Sequence, residues 1–345
     1  MNIRMYLVKN GVQALYMGVD DFAFRYYHII YIREKAGTEN MSGYRITEEE
    51  RAYLSTYDLS RFDRPSVAAD MAVFSIMEAQ GEEDENYRKD PRKQLKLLLI
   101  RRGSFPYKDY WALPGGFCRP GERVEDTARR ELQEETGVGE AYLEPFAVFS
   151  DPDRDPRGWI LSHAFLALIN GERYQVRGGS DAWEAGWFGI SLVKKQVKKE
   201  VQEASAEIEN IYELQLAKEG AVPVRLKAAI RECRHFRNYH ETVDYEILEA
   251  DGLAFDHARI ILCACLELQR QAGDTGRIVF DLMPETFTLT GLQKAYETIQ
   301  GKPLLTPNFR RKIAGYVTET EQMSDGAGHR PAKLYRRNLD AFYRE

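Results

Sequence analysis

The segment that decides the fold reads Gly116-Phe-Cys-Arg-Pro-Gly-Glu-Arg-Val-Glu-Asp-Thr-Ala-Arg-Arg-Glu-Leu-Gln-Glu-Glu-Thr-Gly-Val138. Helical spacing in its second half places Glu131, Glu134 and Glu135 at i, i+3 and i+4, on one face. Arg130 lies one turn before Glu134 and is placed to pair with it. Clustered carboxylates are the oxygen ligands that Mg²⁺ and Mn²⁺ prefer, and these ions usually also bind substrate phosphates. The segment therefore predicts a metal-dependent site that activates a water for attack on a pyrophosphate.

A second interpretation of these carboxylates is a solvated acidic helix face, because sequences such as Arg-Arg-Glu-Leu-Gln-Glu-Glu are common on protein surfaces. The complete pattern favours the metal site. It matches the Nudix box, G-x5-E-x7-R-E-(aliphatic)-x-E-E-x-G-(aliphatic), at every fixed position from Gly116 to Val138. The chain therefore resembles the Nudix superfamily.

The Nudix resemblance implies both a fold and a site. The fold is α/β, an α/β/α sandwich around a mixed sheet. The implied catalytic residues are Glu122, Arg130, Glu131, Glu134 and Glu135. The last three are the implied metal ligands, and the Gly115 carbonyl and Glu122 are further candidates for the same metal. Nudix proteins carry their general base on a variable loop, so the sequence leaves the base open, with Glu184 as one candidate.

Composition and length indicate more than one domain and no membrane segment. The 345 residues exceed what one hydrophobic core usually serves. Apolar residues make up 43% of the chain and charged residues 30%, which is typical of soluble globular proteins. No run of about 18 apolar residues occurs, and the first residues lack the layout of a signal peptide. The four cysteines show no C-x-x-C metal spacing, so we expect reduced thiols in a cytoplasmic protein.

The charge distribution separates the C-terminal end from the rest of the chain. The net charge is −6, which argues against general nucleic-acid binding. Residues 302–345 nevertheless carry nine basic and five acidic side chains, a net charge of +4, while the preceding residues carry −10. A basic module on an acidic protein is the asymmetry expected where one part of the chain contacts a polyanion.

Apolar runs around the Nudix box predict a Nudix domain over residues 63–250. Strands are predicted at Ser66–Met77, Leu95–Arg101, Ala147–Ser150, Trp159–Ile169 and Trp183–Ile190, with a charged loop at Gln80–Lys93. The stretch Ser191–Gln215 carries valines at positions 193, 197 and 201, a spacing that predicts an amphipathic helix. A hairpin of Tyr212–Lys218 and Val224–Cys233 is predicted next.

Residues 1–62 form an N-terminal extension to which the sequence assigns no function. Phe22–Arg33 is rich in aromatic and β-branched residues and predicts a strand. Thr47-Glu-Glu-Glu50 has the spacing of a capping box, which predicts a short helix ending near Tyr57.

Residues 251–345 predict a winged helix-turn-helix domain. Its predicted elements are helices at His257–Ala272, Thr290–Gln300 and Thr306–Tyr316, a strand at Arg277–Leu282, and a hairpin of Val317–Glu321 and Ala332–Arg336. The third helix is the predicted recognition helix, because it buries Phe309 and Ile313 and turns its basic residues outward. The predicted DNA contacts are Asn308, Arg310, Arg311 and Lys312 on this helix and Arg330 and Lys333 in the wing. The alternative is a helical domain whose basic surface serves solubility or dimer contact.

Four stretches of this region resemble the C-terminal domain of the NrtR family, the Nudix-related transcriptional regulators of NAD metabolism. They are Phe255-Asp-His-Ala-Arg259, Leu282-Met-Pro-Glu-Thr-Phe-Thr288, Asn308-Phe-Arg-Arg-Lys312 and Arg330-Pro-Ala-Lys-Leu-Tyr335. Ala112–Gly116 and Asp151-Pro-Asp-Arg-Asp-Pro-Arg-Gly158 are similar to that family and to ADP-ribose pyrophosphatases. The resemblance covers about residues 63–340. It implies an ADP-ribose-responsive Nudix domain joined to a winged helix, acting as a homodimeric repressor on a double-stranded DNA operator.

The expected ligand is a nucleoside diphosphate sugar, with ADP-ribose as the preferred candidate. Gly116, Arg154 and Arg157 are the predicted ligand-binding residues, because guanidinium groups in the Pro-rich loop suit a pyrophosphate. Alternatively, the Asp and Arg residues of that loop brace the turn. Trp111 either stacks on a base or belongs to the core.

Two features depart from the family pattern. Members that act purely as sensors often have a degraded Nudix box, whereas this box is intact, which favours hydrolysis. The region after Ile190 is longer than expected, and relatives of this architecture also sense other small molecules, including sugars. Three hypotheses therefore stay open: a hydrolase coupled to a DNA-binding domain, a plain Mg²⁺-dependent hydrolase whose C-terminal domain serves dimerisation, and a non-catalytic sensing repressor.

Overall fold

The structure is a computed structural model that describes residues 46–78, 93–139, 141–171, 182–238, 240–274, 276–324 and 331–343. The chain divides into two units, Met1–Phe62 and Asp63–Glu345. In the first unit the described residues form α1 (Glu48–Thr56), which begins with the predicted capping box of Thr47 and Glu50. The strand predicted at Phe22–Arg33 lies outside the described residues. The further division at residue 251 remains a prediction.

Ten strands of the described residues form one mixed sheet in the second unit. They are β1 (Ser66–Glu78), β2 (Lys93–Arg102), β3 (Trp111–Ala112), β4 (Gly115–Phe117), β5 (Tyr142–Phe149), β6 (Ile160–Leu168), β7 (Ala182–Gln202), β8 (Ser205–Lys218), β9 (Val224–Arg237) and β10 (His240–Asp251). The order is β10-β9-β8-β7-β2-β1-β6-β5, with β3 on β2 and β4 on β1. β1 and β6 are parallel, whereas β1 and β2 are antiparallel, so the sheet is mixed as predicted.

Helix α2 (Val124–Thr136) is the helix of the Nudix box and covers one face of the sheet. Ala128 and Leu132 are buried there with apolar residues of β1 and β6. The helix ends at Gly137, whose φ of 76° is the left-handed conformation that the sequence predicts for this C-cap. The predicted helix and its apolar stripe are confirmed.

The other face of the sheet carries the C-terminal helices. These are α3 (His257–Asp274), α4 (Leu289–Gln300), α5 (Thr306–Ile313) and α6 (Leu339–Tyr343), with a hairpin of β11 (Val317–Met323) and β12 (Lys333–Arg337). One apolar cluster runs without interruption from the sheet through α3 and α4 to Phe309 and Ile313 of α5. The helices and the hairpin confirm the predicted winged helix, and none of the described helices is long and apolar enough to cross a membrane.

The helix predicted for Ser191–Gln215 is wrong, because these residues belong to β7 and β8. A spacing of four is an even number, so the three valines fit the strand period of two as well as a helix. Valine is also β-branched, which favours a strand. The valines at 193, 197 and 201 are all exposed rather than buried on a helix face.

The strand predicted at Arg277–Leu282 is also wrong, because these residues form a 3₁₀ helix. Ile278, Val279, Phe280 and Leu282 are buried in it. In so short an apolar run, periodicity cannot distinguish a strand from a buried helical turn. The predicted loop Gln80–Lys93 lies outside the described residues except for Lys93, which begins β2.

We expect Leu132→Ala to lower the free energy of unfolding by about 2–5 kcal/mol, because it leaves a cavity between α2 and the sheet. Leu132 is buried, whereas the adjacent Gln133 is exposed. Gln133→Ala is therefore the matched control and should change the free energy of unfolding by less than about 0.5 kcal/mol. Urea denaturation of both variants measures the difference. Equal stability of the two variants would show that this helix face is not packed as described.

Candidate active site

A cavity of about 460 Å³ lies where the Nudix loop, residues 113–123 between β3 and α2 and including β4, meets helix α2. Gly115, Gly116, Glu131 and Glu135 line it on one side. Its other walls come from β2, from the loop between β5 and β6, and from the residues at the start of α3 and just before it. Those contributions are Arg102, Arg154, Asp155, Arg157, Phe255 and His257. The cavity therefore joins the predicted Nudix residues to the beginning of the C-terminal helices.

Two of the predicted metal-binding carboxylates are fixed at the cavity. The Gly115 N–H donates a hydrogen bond to Glu135 Oε2 at 2.8 Å. Glu131 accepts a hydrogen bond from Arg130 Nη1 at 2.5 Å. A Cβ at position 116 would lie 2.4 Å from Glu131 Oε1, so this approach requires the glycine that the Nudix box supplies.

The third predicted carboxylate, Glu134, lies outside the cavity with its side chain 45% exposed. It accepts hydrogen bonds from Arg119 at 3.4 Å and from Arg130 at 3.3 Å. In the described parts of the chain, no three His, Cys, Asp or Glu side chains converge closely enough to hold a metal ion. The donors at the cavity are nonetheless oxygens, the ligand type that suits Mg²⁺ and Mn²⁺.

Glu122 and Arg130 clamp the loop to the helix rather than line the cavity. Arg130 donates to both Glu122 oxygens, at 2.6 and 2.9 Å, and the Thr127 hydroxyl donates at 2.8 Å. The hydrogen bonds from Arg130 lower the pKa of Glu122 to about 2, with help from the Arg119 N–H. The same pairing raises the pKa of Arg130. The clamp thereby keeps the Glu131 carboxylate in position.

Arg154 lies in a buried ion pair that the sequence did not predict. Its Nε and Nη2 donate to Asp256 at 3.0 and 2.7 Å, and Nη2 lies 3.6 Å from Asp70. Burial alone would lower the pKa of Arg154, but the hydrogen bonds and charge of Asp256 outweigh it and raise the pKa. The guanidinium thus reaches the cavity while paired to the residue before α3.

Arg157 is the more accessible of the two predicted ligand-binding arginines. Its Nε and Nη2 donate to Asp155 at 3.0 and 2.6 Å, so this pair braces the loop. The guanidinium also lies over the rings of Phe117, at 4.9 Å, and Phe255, at 5.3 Å. Because the side chain is 40% exposed, Arg157 combines a fixed position with access from the cavity.

His257 connects the cavity to α3. It is fully buried, and burial lowers its pKa, so the ring is neutral near pH 7. Its Nδ1 accepts a hydrogen bond from the Leu113 N–H at 2.9 Å, and Nε2 lies 3.9 Å from Asp70. The proton of the neutral ring therefore lies on Nε2, towards Asp70.

Two residues that the sequence offered for base stacking and for the general base lie outside the cavity. Trp111 is buried edge-on against Phe188 at 4.7 Å, so it belongs to the core. Glu184, on β7, pairs with Lys218 and lies outside the cavity. Neither position is suited to contact a ligand in the cavity.

The basic surface of α5 has the predicted form. Phe309 and Ile313 are buried, and the polar residues Asn308, Arg310, Arg311 and Lys312 are exposed. Arg311 donates to Asn308 at 2.7 Å, and Lys312 Nζ donates to the Gly273 carbonyl at 3.2 Å. In the wing, Lys333 pairs with Glu319, and Arg330 lies outside the described residues.

Comparison with known proteins agrees with this architecture. The NUDIX domain family matches residues 87–208, and the NrtR DNA-binding winged helix domain matches residues 279–337. The ADPR responsive transcriptional repressor NtrR of Acinetobacter baylyi is 31% identical over 291 residues, which cover 83% of this chain and 88% of the relative. The chain belongs to the NrtR family.

Two other similarities fit an NrtR-family protein. An ADP-ribose pyrophosphatase of Methanocaldococcus jannaschii is 44% identical over 104 residues, which cover 30% of this chain and 60% of the relative. A MutT/nudix family protein from Enterococcus faecalis superposes with a TM-score of 0.58 at 26% identity, over 84% of this chain and 93% of that one. The Nudix fold joined to a winged helix is thereby established, and Nudix proteins generally use divalent cations.

The sequence did not reveal several residues of the cavity. Asp70 and Arg102 lie on β1 and β2, whose apolar patterns predict core residues and no site. The stretch beginning at Phe255 stood out only as a resemblance to the C-terminal domain of the family. Nothing in its pattern indicated that Phe255 and His257 line the cavity or that Asp256 pairs with Arg154.

We expect Glu122→Gln to destabilise the protein most near pH 7 and progressively less as the pH falls from about 4.5 towards about 2. The folded pKa of Glu122 is about 2, below its ordinary value of 4.5, so its contribution is present above 4.5 and is lost as the carboxylate protonates. Urea denaturation of both proteins across this range measures the difference. Glu203→Gln, at the exposed turn between β7 and β8, controls for the loss of a surface charge. A difference that stays constant over the window would contradict the clamp.

Proposed function

We propose that this NrtR-family protein binds ADP-ribose in the cavity and operator DNA through α5 and the wing, and that ADP-ribose releases the DNA. The observation that carries the proposal is the cavity itself, where Nudix-box residues and Arg157 meet the residues that begin α3. Two relatives support the choice of ligand, since one is described as ADPR responsive and the other as an ADP-ribose pyrophosphatase.

The cavity offers complementary groups for a nucleoside diphosphate. Arg157 is placed to donate two hydrogen bonds to a diphosphate, and Gly116 lines the same cavity beside Glu131. The rings of Phe117 and Phe255 offer flat apolar surfaces next to Arg157 and Arg102. A planar base and an anionic diphosphate are therefore matched by neighbouring groups of the same cavity.

Glu131 and Glu135, with the Gly115 carbonyl, are the groups that would hold Mg²⁺ or Mn²⁺. When bound, such an ion neutralises phosphate oxygens and lowers the pKa of a coordinated water. Glu134 lies outside the cavity in its pairs with Arg119 and Arg130, and we propose it as the third ligand once those pairs open. Arg130 and Glu122 then act by holding Glu131.

A second candidate function is ligand sensing without hydrolysis. It is favoured by the position of Glu134, because the described carboxylates do not converge on one metal site. In this case the cavity binds ADP-ribose and the acidic helix serves structure alone. Turnover in the presence of Mg²⁺ separates the two functions.

DNA binding is proposed for a homodimer. The exposed basic residues of α5 would lie in the major groove, and Lys333 and Arg330 in the wing would contact phosphates. Two-fold symmetry of the dimer would place two half-sites about one helical turn apart, or a multiple of that.

We expect the protein to hydrolyse ADP-ribose to AMP and ribose 5-phosphate with Mg²⁺ or Mn²⁺, and Glu135→Gln to reduce the rate by roughly 10²-fold or more. Loss of the carboxylate weakens metal binding and removes charge stabilisation near the diphosphate. Chromatographic detection of AMP measures the rate. Asp126→Asn, on the exposed face of the same helix, is the control and should keep the wild-type rate. Absence of turnover by the wild type, together with ADP-ribose binding, would establish the sensing function instead.

We expect Arg310→Ala/Arg311→Ala to abolish specific binding to the DNA upstream of the protein's own operon. Lys333→Ala should instead weaken binding to all sequences and reduce the salt dependence by about one unit of slope. Gel shifts with unrelated competitor DNA, at several salt concentrations, measure both effects. The control is Arg225→Ala on β9, a basic residue of the sheet, which should bind DNA as the wild type does. Wild-type protein that shows no preference for any DNA would support a plain hydrolase.

A further inference from the structure

The residues between β10 and α3 form one wall of the cavity. Together with the first turn of α3 they make up the connecting segment, residues 252–259, which pairs with strand β3 just before the Nudix loop. The Trp111 N–H donates to the Gly252 carbonyl at 2.9 Å, and the Ala254 N–H donates to the Trp111 carbonyl at 2.8 Å. The hydrogen bond from Leu113 to His257 continues this connection. The start of α3 is therefore attached to the loop that carries Gly115 and Gly116.

Two side chains of the connecting segment contact the predicted ligand-binding arginines. Asp256 holds Arg154 through two hydrogen bonds, with both side chains buried. The ring of Phe255 lies 5.3 Å from the Arg157 guanidinium and 4.9 Å from that of Arg102. An anionic ligand that engages Arg154 and Arg157 competes with Asp256 for the first and with the Phe255 ring for the second.

The backbone at Phe255 is itself strained. Its φ is 53°, a left-handed conformation that an aromatic residue rarely adopts. The ring is held by Tyr107, at 4.7 Å between ring centroids, and by the two arginines. These contacts hold Phe255 in its strained conformation. A ligand that displaces the arginines therefore removes contacts that keep the segment in this conformation.

The far end of α3 reaches the recognition helix. Lys312 of α5 donates to the carbonyl of Gly273, in the last turn of α3, at 3.2 Å. Gln300, at the end of α4, donates to the carbonyl of Gln269 at 2.6 Å. A helix of 18 residues spans about 27 Å. One rigid element thus has its first residues at the cavity and its last residues against the DNA-binding helices.

We propose that the connecting segment couples the two sites: Phe255 and Asp256 sense the ligand through Arg157 and Arg154, and α3 carries the change to α5. This inference rests on the proposed function. By linkage, the factor by which ligand weakens DNA binding equals the factor by which DNA weakens ligand binding. Loss of Asp256 removes the ligand's competitor for Arg154 and the tie between that arginine and α3. The ligand therefore still binds, but the DNA-binding helices no longer respond.

The test compares the dissociation constant for fluorescent operator DNA with and without saturating α,β-methylene ADP-ribose, an analogue with a carbon-bridged diphosphate. For the wild type we expect the analogue to raise this constant by at least about fivefold. For Asp256→Asn we expect a factor below about two. Calorimetry without DNA should show that Asp256→Asn binds the analogue at least as tightly as the wild type does, which damage to the cavity would not produce.

Asp281→Asn is the matched control, because Asp281 also pairs with an arginine, Arg337, at 2.7 Å, but away from the cavity. It should keep the wild-type factor. His257→Leu, which removes the acceptor of the Leu113 N–H, is a second variant that tests the same segment if Asp256→Asn does not fold, and its factor should also fall below about two. A wild-type factor in either of these segment variants, with analogue binding intact, would overturn the inference. A wild type that binds no analogue, or no operator, would instead refute the proposed function.

Discussion

The buried ion pair of Arg154 and Asp256 is the interaction that joins the wall of the cavity to α3, the helix that leads to the winged helix. The Arg154 side chain is 4% exposed and that of Asp256 is 10% exposed. Removing one partner from such a pair leaves an uncompensated buried charge, which typically costs about 3–5 kcal/mol. Arg154 belongs to the loop between β5 and β6, and Asp256 directly precedes α3. The pair therefore fixes the start of α3 at the cavity.

The long strands β7 to β10 provide the surface on which α3 lies. Alternate residues of β8 and β9, such as Tyr212 and Ile230, join the apolar cluster that includes α3. Within this surface, Glu232 is fully buried and accepts hydrogen bonds from Asn210 at 2.7 Å and from Arg234 at 2.9 Å. Burial would raise the pKa of Glu232, but these partners lower it, so the carboxylate stays ionised. The residues that follow Ile190 form this platform.

The sequence predicted the parts of the molecule that local pattern determines. The Nudix box contains both the helical spacing that brings Glu131 and Glu135 to the cavity and the glycine that leaves room for Glu131. The valines of β7 misled the prediction because their spacing satisfies two periods. The pairings of Asp256 and His257 could not be predicted, since their partners Arg154 and Leu113 lie more than one hundred positions away in the chain. Such pairings depend on how the sheet and α3 pack, which no local pattern records.

The cavity and the start of α3 form one structural unit. Hydrogen–deuterium exchange of the wild-type protein, with and without α,β-methylene ADP-ribose, tests it most directly. The amides of Trp111, Leu113 and Ala254 donate the hydrogen bonds that join the Nudix loop to the connecting segment. Because the ligand competes with Asp256 and Phe255 for their arginines, we expect it to speed exchange at Trp111, Leu113 and Ala254 together. Slower exchange confined to the Nudix loop and α2, with residues 252–259 unchanged, would contradict the account.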